Sequence, residues 1–274
     1  MTVLLVIVAV FGLSLAGGFA PRLVHGRLDD RRLQDLTAVA SGLLLASALQ
    51  VVIPEGFHLA AETAPIGEAF SFDPVILGTT ILAGFAAMLI LEGSGIGHAV
   101  HEEHHDHARG HGHGHVHHPT SLTVVAVGLT VHAMADGLAI GSAAVAGDAA
   151  FSALVALAVV LHRVPAAFSL GLFALHEART DLGAVLAIAC FAVATPVMVV
   201  AAYLLLDGAD ESITAIALLF SAGTFVYVAT VDTLPAIHNP ELGRRSLVGV
   251  LTGAGLFAIV LIGVDALGII DHVH

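Results

Sequence analysis

The chain has 274 residues, of which 57% are hydrophobic and only 11% are charged, whereas soluble globular domains carry roughly 25% charged residues. So few charges cannot cover a water-exposed surface, which excludes an ordinary soluble protein and predicts extensive contact with lipid. The formal net charge of −13 argues against nucleic-acid binding, and the absence of lysine excludes chemistry that depends on a lysine Schiff base.

Eight apolar runs follow one another along the chain, each long enough to cross about 30 Å of hydrocarbon as a helix. The first run is predicted to be a span rather than a cleaved signal peptide, because arginines follow it and none precedes it. We therefore predict an all-α integral membrane protein with a single membrane domain over residues 1–274. The predicted spans cover residues 1–20, 36–60, 74–97, 121–146, 151–175, 181–206, 212–236 and 246–270.

The arginines predict the orientation of these spans. Eight of the nine arginines fall in the first, third, fifth and seventh loops, whereas the other loops carry only acidic charges. Cytoplasmic loops are enriched in positive residues, so both termini are predicted to lie outside. The expected location is the cell membrane, as a multi-pass protein of the cytoplasmic (inner) membrane of a prokaryote.

The second and seventh spans share a pattern of small residues and proline. Gly42 follows a serine and precedes Pro54 by twelve residues, and Gly223 follows an alanine and precedes Pro235 by the same distance. In the predicted topology these spans run in opposite directions, as the halves of many secondary transporters do. The sequence thus predicts an inverted repeat.

The candidate functional residues are the few ionisable side chains inside the spans, because such residues are costly in a membrane and usually serve a function. His132 and Asp136 lie one turn apart on the fourth span and share a face. His162 on the fifth span can supply a third ligand, and imidazole with carboxylate suits zinc and similar divalent cations. The alternative for His132 and Asp136 is a hydrogen-bonded pair that joins two helices.

Three further polar residues lie in spans that are otherwise apolar. Gln50 and Glu55 belong to the second span and Asp232 to the seventh, three residues before Pro235. We predict that these residues line the pathway of the transported ion.

The loop between the third and fourth spans is rich in histidine. Ten of the 18 histidines fall within residues 98–118, and this composition predicts a cytoplasmic segment that collects metal ions with low affinity. The alternative is a solvated linker with no role in metal binding. The ten residues are His98, His101, His104, His105, His107, His111, His113, His115, His117 and His118.

The order of these motifs resembles the ZIP (Zrt/Irt-like) family of divalent metal transporters. The resemblance is carried by His132, by Asp136 followed by Gly137, by the loop, and by the run His-x-x-Pro-Ala-Ala-Phe from His162 to Phe168. That run is similar to a branch that includes a Golgi member. The resemblance implies a homodimeric transporter rather than an enzyme, with no catalytic cofactor. Its substrate would be zinc, with iron, manganese and cadmium as alternatives, moved towards the cytoplasm.

The chain departs from the pattern with which many ZIP members bind two metals between the fourth and fifth spans. Ala133 stands in place of an asparagine, Arg163 in place of a glutamate, and Ala166 and Ala167 in place of a His-Glu pair. Thr195 stands where some members have a glutamate before a proline on the sixth span.

These departures predict one metal site, formed by His132, Asp136 and His162. The guanidinium of Arg163 cannot lose its proton, so it would replace the second metal with a fixed positive charge. Asp136 is the expected partner of Arg163.

Two other functions remain open at this point. Three ligands with an open position also describe a catalytic zinc, so an intramembrane zinc-dependent hydrolase is an alternative, although no general base is evident beside the ligands. The other alternative is a metal sensor without transport, in which Arg163 and Asp136 are locked together.

Overall fold

The computed structural model describes residues 2–24, 30–93, 122–146, 149–178, 180–238 and 243–266, and all regular structure in these ranges is helical. A π-helical segment, Ala48–Val52, joins the second helix to the third. The helices are α1 (Thr2–Val24), α2 (Asp30–Ser47), α3 (Ile53–Glu62), α4 (Pro74–Gly93), α5 (Leu122–Val145), α6 (Ala149–Glu177), α7 (Asp181–Leu206), α8 (Glu211–His238) and α9 (Gly243–Ala266).

Eight stretches of the described helices are long and apolar enough to cross a membrane. α2, the π-helical segment and α3 together form the second of them, Gln34–Glu62, and each of the others lies within one helix. The eight-span, all-α architecture predicted from the sequence is therefore confirmed. The orientation with both termini outside stays a prediction.

Aspartate side chains cap the first turns of α4 and α8. Asp73 accepts a hydrogen bond from the backbone N–H of Val75, 2.7 Å away, at the first turn of α4. Asp210 accepts one from the backbone N–H of Ser212 at 2.9 Å in the same way before α8. Hydrogen bonds from the side chain and the backbone of Ser212 lower the pKa of the exposed Asp210 carboxyl. Such bonds satisfy N–H groups that have no partner within the helix.

Glycine allows the second and seventh spans to approach their neighbours at the backbone. A Cβ added at Gly42 would lie 2.1 Å from the Val250 carbonyl oxygen of α9, and one added at Gly223 would lie 2.0 Å from the Ile81 carbonyl oxygen of α4. No larger residue fits at either position without separating the two helices. The two glycines that define the sequence repeat thus serve equivalent helix contacts.

The contacts of other helices are also related by the repeat. α1 packs on α6 as α7 packs on α5, and α2 packs on α6 as α8 packs on α5. The first three spans and the last three therefore occupy equivalent positions around the central pair, α5 and α6. Each of the first three spans is separated from its equivalent by five membrane crossings. Because successive spans alternate in direction, equivalent spans run in opposite directions, in agreement with the predicted inverted repeat.

The helices fall into two groups by the closeness of their contacts. One group, called the site group here, contains α1, α5, α6 and α7, and the other, the outer group, contains α2, α3, α4, α8 and α9. The close glycine contacts between described helices all lie within one group or the other. The boundary between the groups is packed with apolar side chains, among them Leu44 of α2, Val155 of α6, Ile140 of α5 and Leu219 of α8.

Candidate metal-binding site

Three buried side chains converge where α5 and α6 meet. His132 Nε2 lies 3.7 Å from Asp136 Oδ1, and His162 Nε2 lies 3.3 Å from Asp136 Oδ2. One donor atom from each residue lies within 4.8 Å of the other two. Asp136 has no exposed surface, and the two histidines are 4% and 6% exposed. The structure thus brings together the three residues that the sequence singled out as ligands.

The backbone of α6 orients the imidazole of His162. His162 Nδ1 lies 3.0 Å from the carbonyl oxygen of Ala158, one turn earlier on the helix. A carbonyl oxygen can only accept, so Nδ1 carries the proton and donates it. In the neutral ring, Nε2 then keeps its lone pair and faces the Asp136 carboxylate, which is the arrangement found in histidine ligands of metals.

Arg163 is wholly buried beside these residues and is held by hydrogen bonds to three other helices. Its Nη1 donates to Asp136 Oδ2 of α5 at 3.1 Å. Its Nε donates to Ser14 Oγ of α1 at 2.9 Å, and its Nη2 donates to the Phe191 carbonyl oxygen of α7 at 2.8 Å. The guanidinium also lies over the Phe191 ring, 3.9 Å from its centroid. Arg163 therefore lies against Asp136, where the sequence had placed it.

The family comparison covers most of the chain. Residues 93–261, more than half of its length, match the family model for the ZIP zinc transporter. The chain belongs to the ZIP family.

Curated ZIP proteins of vertebrates are similar over most of their lengths. Zinc transporter ZIP9 of Xenopus tropicalis is 31% identical over 263 residues, which cover 82% of this chain and 84% of that protein. Zinc transporter ZIP9 of Micropogonias undulatus is 30% identical over 246 residues, covering 76% of this chain and 77% of that protein. Zinc transporter ZIP1 of Danio rerio is 25% identical over 245 residues, covering 83% and 71%.

The family match confirms several predictions made from the sequence. This ZIP protein is a multi-pass membrane protein of a family of zinc transporters, so it is a transporter rather than an enzyme. The hydrolase alternative is thereby set aside. A divalent metal ion is its transported substrate.

Two of the positions at which this ZIP protein departs from the two-metal pattern contact each other. Thr195 Oγ1 donates a hydrogen bond to the Ala133 carbonyl oxygen at 2.7 Å and so joins α7 to α5. The threonine hydroxyl thus serves a helix contact. The sequence identified both positions as lost ligands and did not indicate that they touch.

Sequence reasoning also missed the groups that hold Arg163. Ser14 is one hydroxyl in an apolar first span, and Phe191 is one aromatic residue in an apolar sixth span. Neither has a local sequence signal, because each contacts the site only through tertiary packing. Phe225 of α8 was missed for the same reason; its ring centroid lies 6.3 Å from that of His162.

Of the predicted pathway residues, Gln50 and Glu55 are described and do not belong to the three-residue cluster. Gln50 is exposed within the π-helical segment, and Glu55 is partly buried in α3. π-helical segments often occur at functional sites, and here the segment ends two residues before Pro54. The side chain of Asp232 and the whole of residues 98–118, which hold the ten loop histidines, lie outside the described residues.

Proposed function

We propose that this ZIP protein carries zinc, or a related divalent cation, towards the cytoplasm through a site formed by His132, Asp136 and His162. The observation that supports this site is the buried approach of His162 Nε2 to the Asp136 carboxylate, at 3.3 Å. In the neutral ring, which carries its proton on Nδ1, Nε2 offers a lone pair to a metal ion. A cation bound between Nε2 and the carboxylate would satisfy both groups, and His132 supplies the third ligand.

A single metal per site is favoured by the position of Arg163. Its guanidinium lies 3.1 Å from Asp136, so a second cation on that side would meet a fixed positive charge at close range. The same charge balances Asp136 when no metal is bound. An adjacent cation also weakens metal affinity, which favours release of the ion during transport.

The site group is proposed to move as one body relative to the outer group. Arg163 joins all four helices of the site group, since it lies on α6 and bonds to α1, α5 and α7. The ion pairs at the helix ends follow the same division: Arg22 pairs with Asp181 between α1 and α7, and Arg245 with Asp35 between α9 and α2. The boundary between the groups contains a cluster of apolar side chains, whose contacts are non-directional and permit sliding.

We place this ZIP protein in the cell membrane, in the inner membrane of a prokaryote, with both termini outside and the histidine-rich loop collecting ions in the cytoplasm. α4 and α9 bury the smallest share of their surface among the described spans, so their apolar faces are available to lipid or to the second copy of a homodimer.

Zinc uptake into proteoliposomes tests the proposed function. Wild-type protein takes up zinc, and His132→Ala and Asp136→Ala abolish uptake because each removes a ligand. His58→Ala, a change of an exposed histidine in the second span, serves as the matched control and keeps uptake. Competition by iron, manganese and cadmium then ranks the substrates. Zinc uptake at the wild-type rate in both ligand variants would rule out the site. Absence of uptake by the wild-type protein itself would favour the metal sensor without transport.

A further inference from the structure

Ser14 has no role in the function proposed above, yet it is wholly buried and contacts the guanidinium of Arg163. Its hydroxyl donates to the Val10 carbonyl oxygen at 2.6 Å, within α1. A hydroxyl has one proton and two lone pairs, so towards Arg163 it can only accept. Ser14 therefore accepts the hydrogen bond that Arg163 Nε donates at 2.9 Å.

The guanidinium uses its three nitrogens for three different helices. Nε has a single N–H, which is bound to Ser14; Nη2 donates to the Phe191 carbonyl, and Nη1 is the nitrogen that contacts the Asp136 carboxylate. That contact is made to Oδ2 alone. The other oxygen, Oδ1, accepts no hydrogen bond from the described residues and faces His132.

This arrangement is unusual for an arginine beside an aspartate, because the pair prefers two parallel hydrogen bonds. The bidentate geometry would occupy both carboxylate oxygens. Ser14 binds the single N–H of Nε and the Phe191 carbonyl binds Nη2, and these two bonds hold the guanidinium in the one-point contact that the structure shows.

We propose that Ser14 is a positioning residue for metal transport, which holds Arg163 in a one-point contact and so keeps Asp136 Oδ1 available to the cargo. The inference rests on the proposed function of the His132–Asp136–His162 site. Without the hydroxyl, the buried Nε–H loses its acceptor, and the guanidinium is then expected to turn further donors towards the Asp136 carboxylate. Arg163 then competes with the metal for Asp136.

The Michaelis constant of zinc uptake tests this role. Ser14→Ala raises KM about tenfold, equivalent to about 1.4 kcal/mol of binding, and leaves the maximal rate close to that of the wild type. Ser14→Cys, whose thiol is a weak acceptor, changes KM in the same direction and preserves the volume. Ser221→Ala is the matched control and leaves KM unchanged, because this buried serine makes the same intrahelical bond, to Ala217 at 2.9 Å.

A double-mutant cycle shows whether Ser14 acts through Arg163. Zinc affinity is measured by equilibrium dialysis on the full chain with the ten loop histidines changed to glutamine. Ser14→Ala weakens affinity when Arg163 is present and has no effect when Arg163→Gln is already in place. Equal weakening in both backgrounds overturns the proposal, as does an unchanged KM or a lower maximal rate at wild-type KM. Absence of zinc uptake by the wild type would instead count against the proposed function, since dialysis reads the effect of Ser14 without transport.

Discussion

Burying an arginine beside an aspartate removes the hydration of both charges, and the pair is tolerated only when its remaining donors are also satisfied. Each guanidinium nitrogen of Arg163 has a partner, because Ser14 and the Phe191 carbonyl accept hydrogen bonds from the two nitrogens that do not contact Asp136. The same bonds that stabilise the charge also link four helices. A residue at a metal site is in this way also part of the framework that holds the site together.

Removing only one member of the pair leaves an unbalanced buried charge. Arg163→Leu is expected to lower the free energy of unfolding by about 3–5 kcal/mol, because Asp136 then has no counter-charge. Zinc restores part of this loss, since the cation takes the place of the guanidinium at a site that exists only in the folded state. Thermal unfolding in detergent, with and without zinc, measures both effects.

The double variant Asp136→Leu with Arg163→Leu is the control for that experiment. It removes both charges, so its stability lies nearer to the wild type and does not respond to zinc through this site. An Arg163→Leu protein that unfolds at the same temperature with and without zinc would show that the cation does not bind beside Asp136.

At the scale of the helices, local signals explain what the sequence predicted. Hydropathy defines a span without reference to its neighbours, and His132 and Asp136 share a face by helical periodicity alone. The contacts that hold Arg163 carry no such signal, because Ser14 lies 149 residues away from it along the chain. The π-helical segment before Pro54 also escaped prediction, since the proline marks a disturbed helix without fixing its form.

The repeated glycines make a prediction about helix packing. Gly223→Ala is expected to lower the free energy of unfolding by about 1–3 kcal/mol, because its Cβ would lie 2.0 Å from the Ile81 carbonyl oxygen and force α8 away from α4. Gly78→Ala, on α4 itself, meets no atom within 4 Å and is neutral or slightly stabilising. Thermal unfolding of the two variants in detergent compares them. Equal stability would mean that α4 and α8 are not in backbone contact.

At the scale of the whole molecule, charge is distributed unevenly along the predicted transport direction. Exposed carboxylates gather in the loops predicted to lie outside, where they attract cations. One of them is Asp210, whose pKa is lowered by the hydrogen bonds that it accepts from Ser212. The ten histidines lie in a loop predicted to face the cytoplasm, so the two sides of the membrane would present different ligands to the same ion.

The number of zinc ions bound per chain separates the buried site from the histidine-rich loop. With the ten loop histidines changed to glutamine, the full chain is expected to bind one zinc tightly in equilibrium dialysis, because Arg163 excludes a second cation beside Asp136. Restoring the histidines adds weaker sites, and His132→Ala in the substituted chain removes the tight one. Two tight sites in the substituted chain would mean that Arg163 moves aside for a second metal. No tight site would mean that the Arg163–Asp136 pair keeps zinc out.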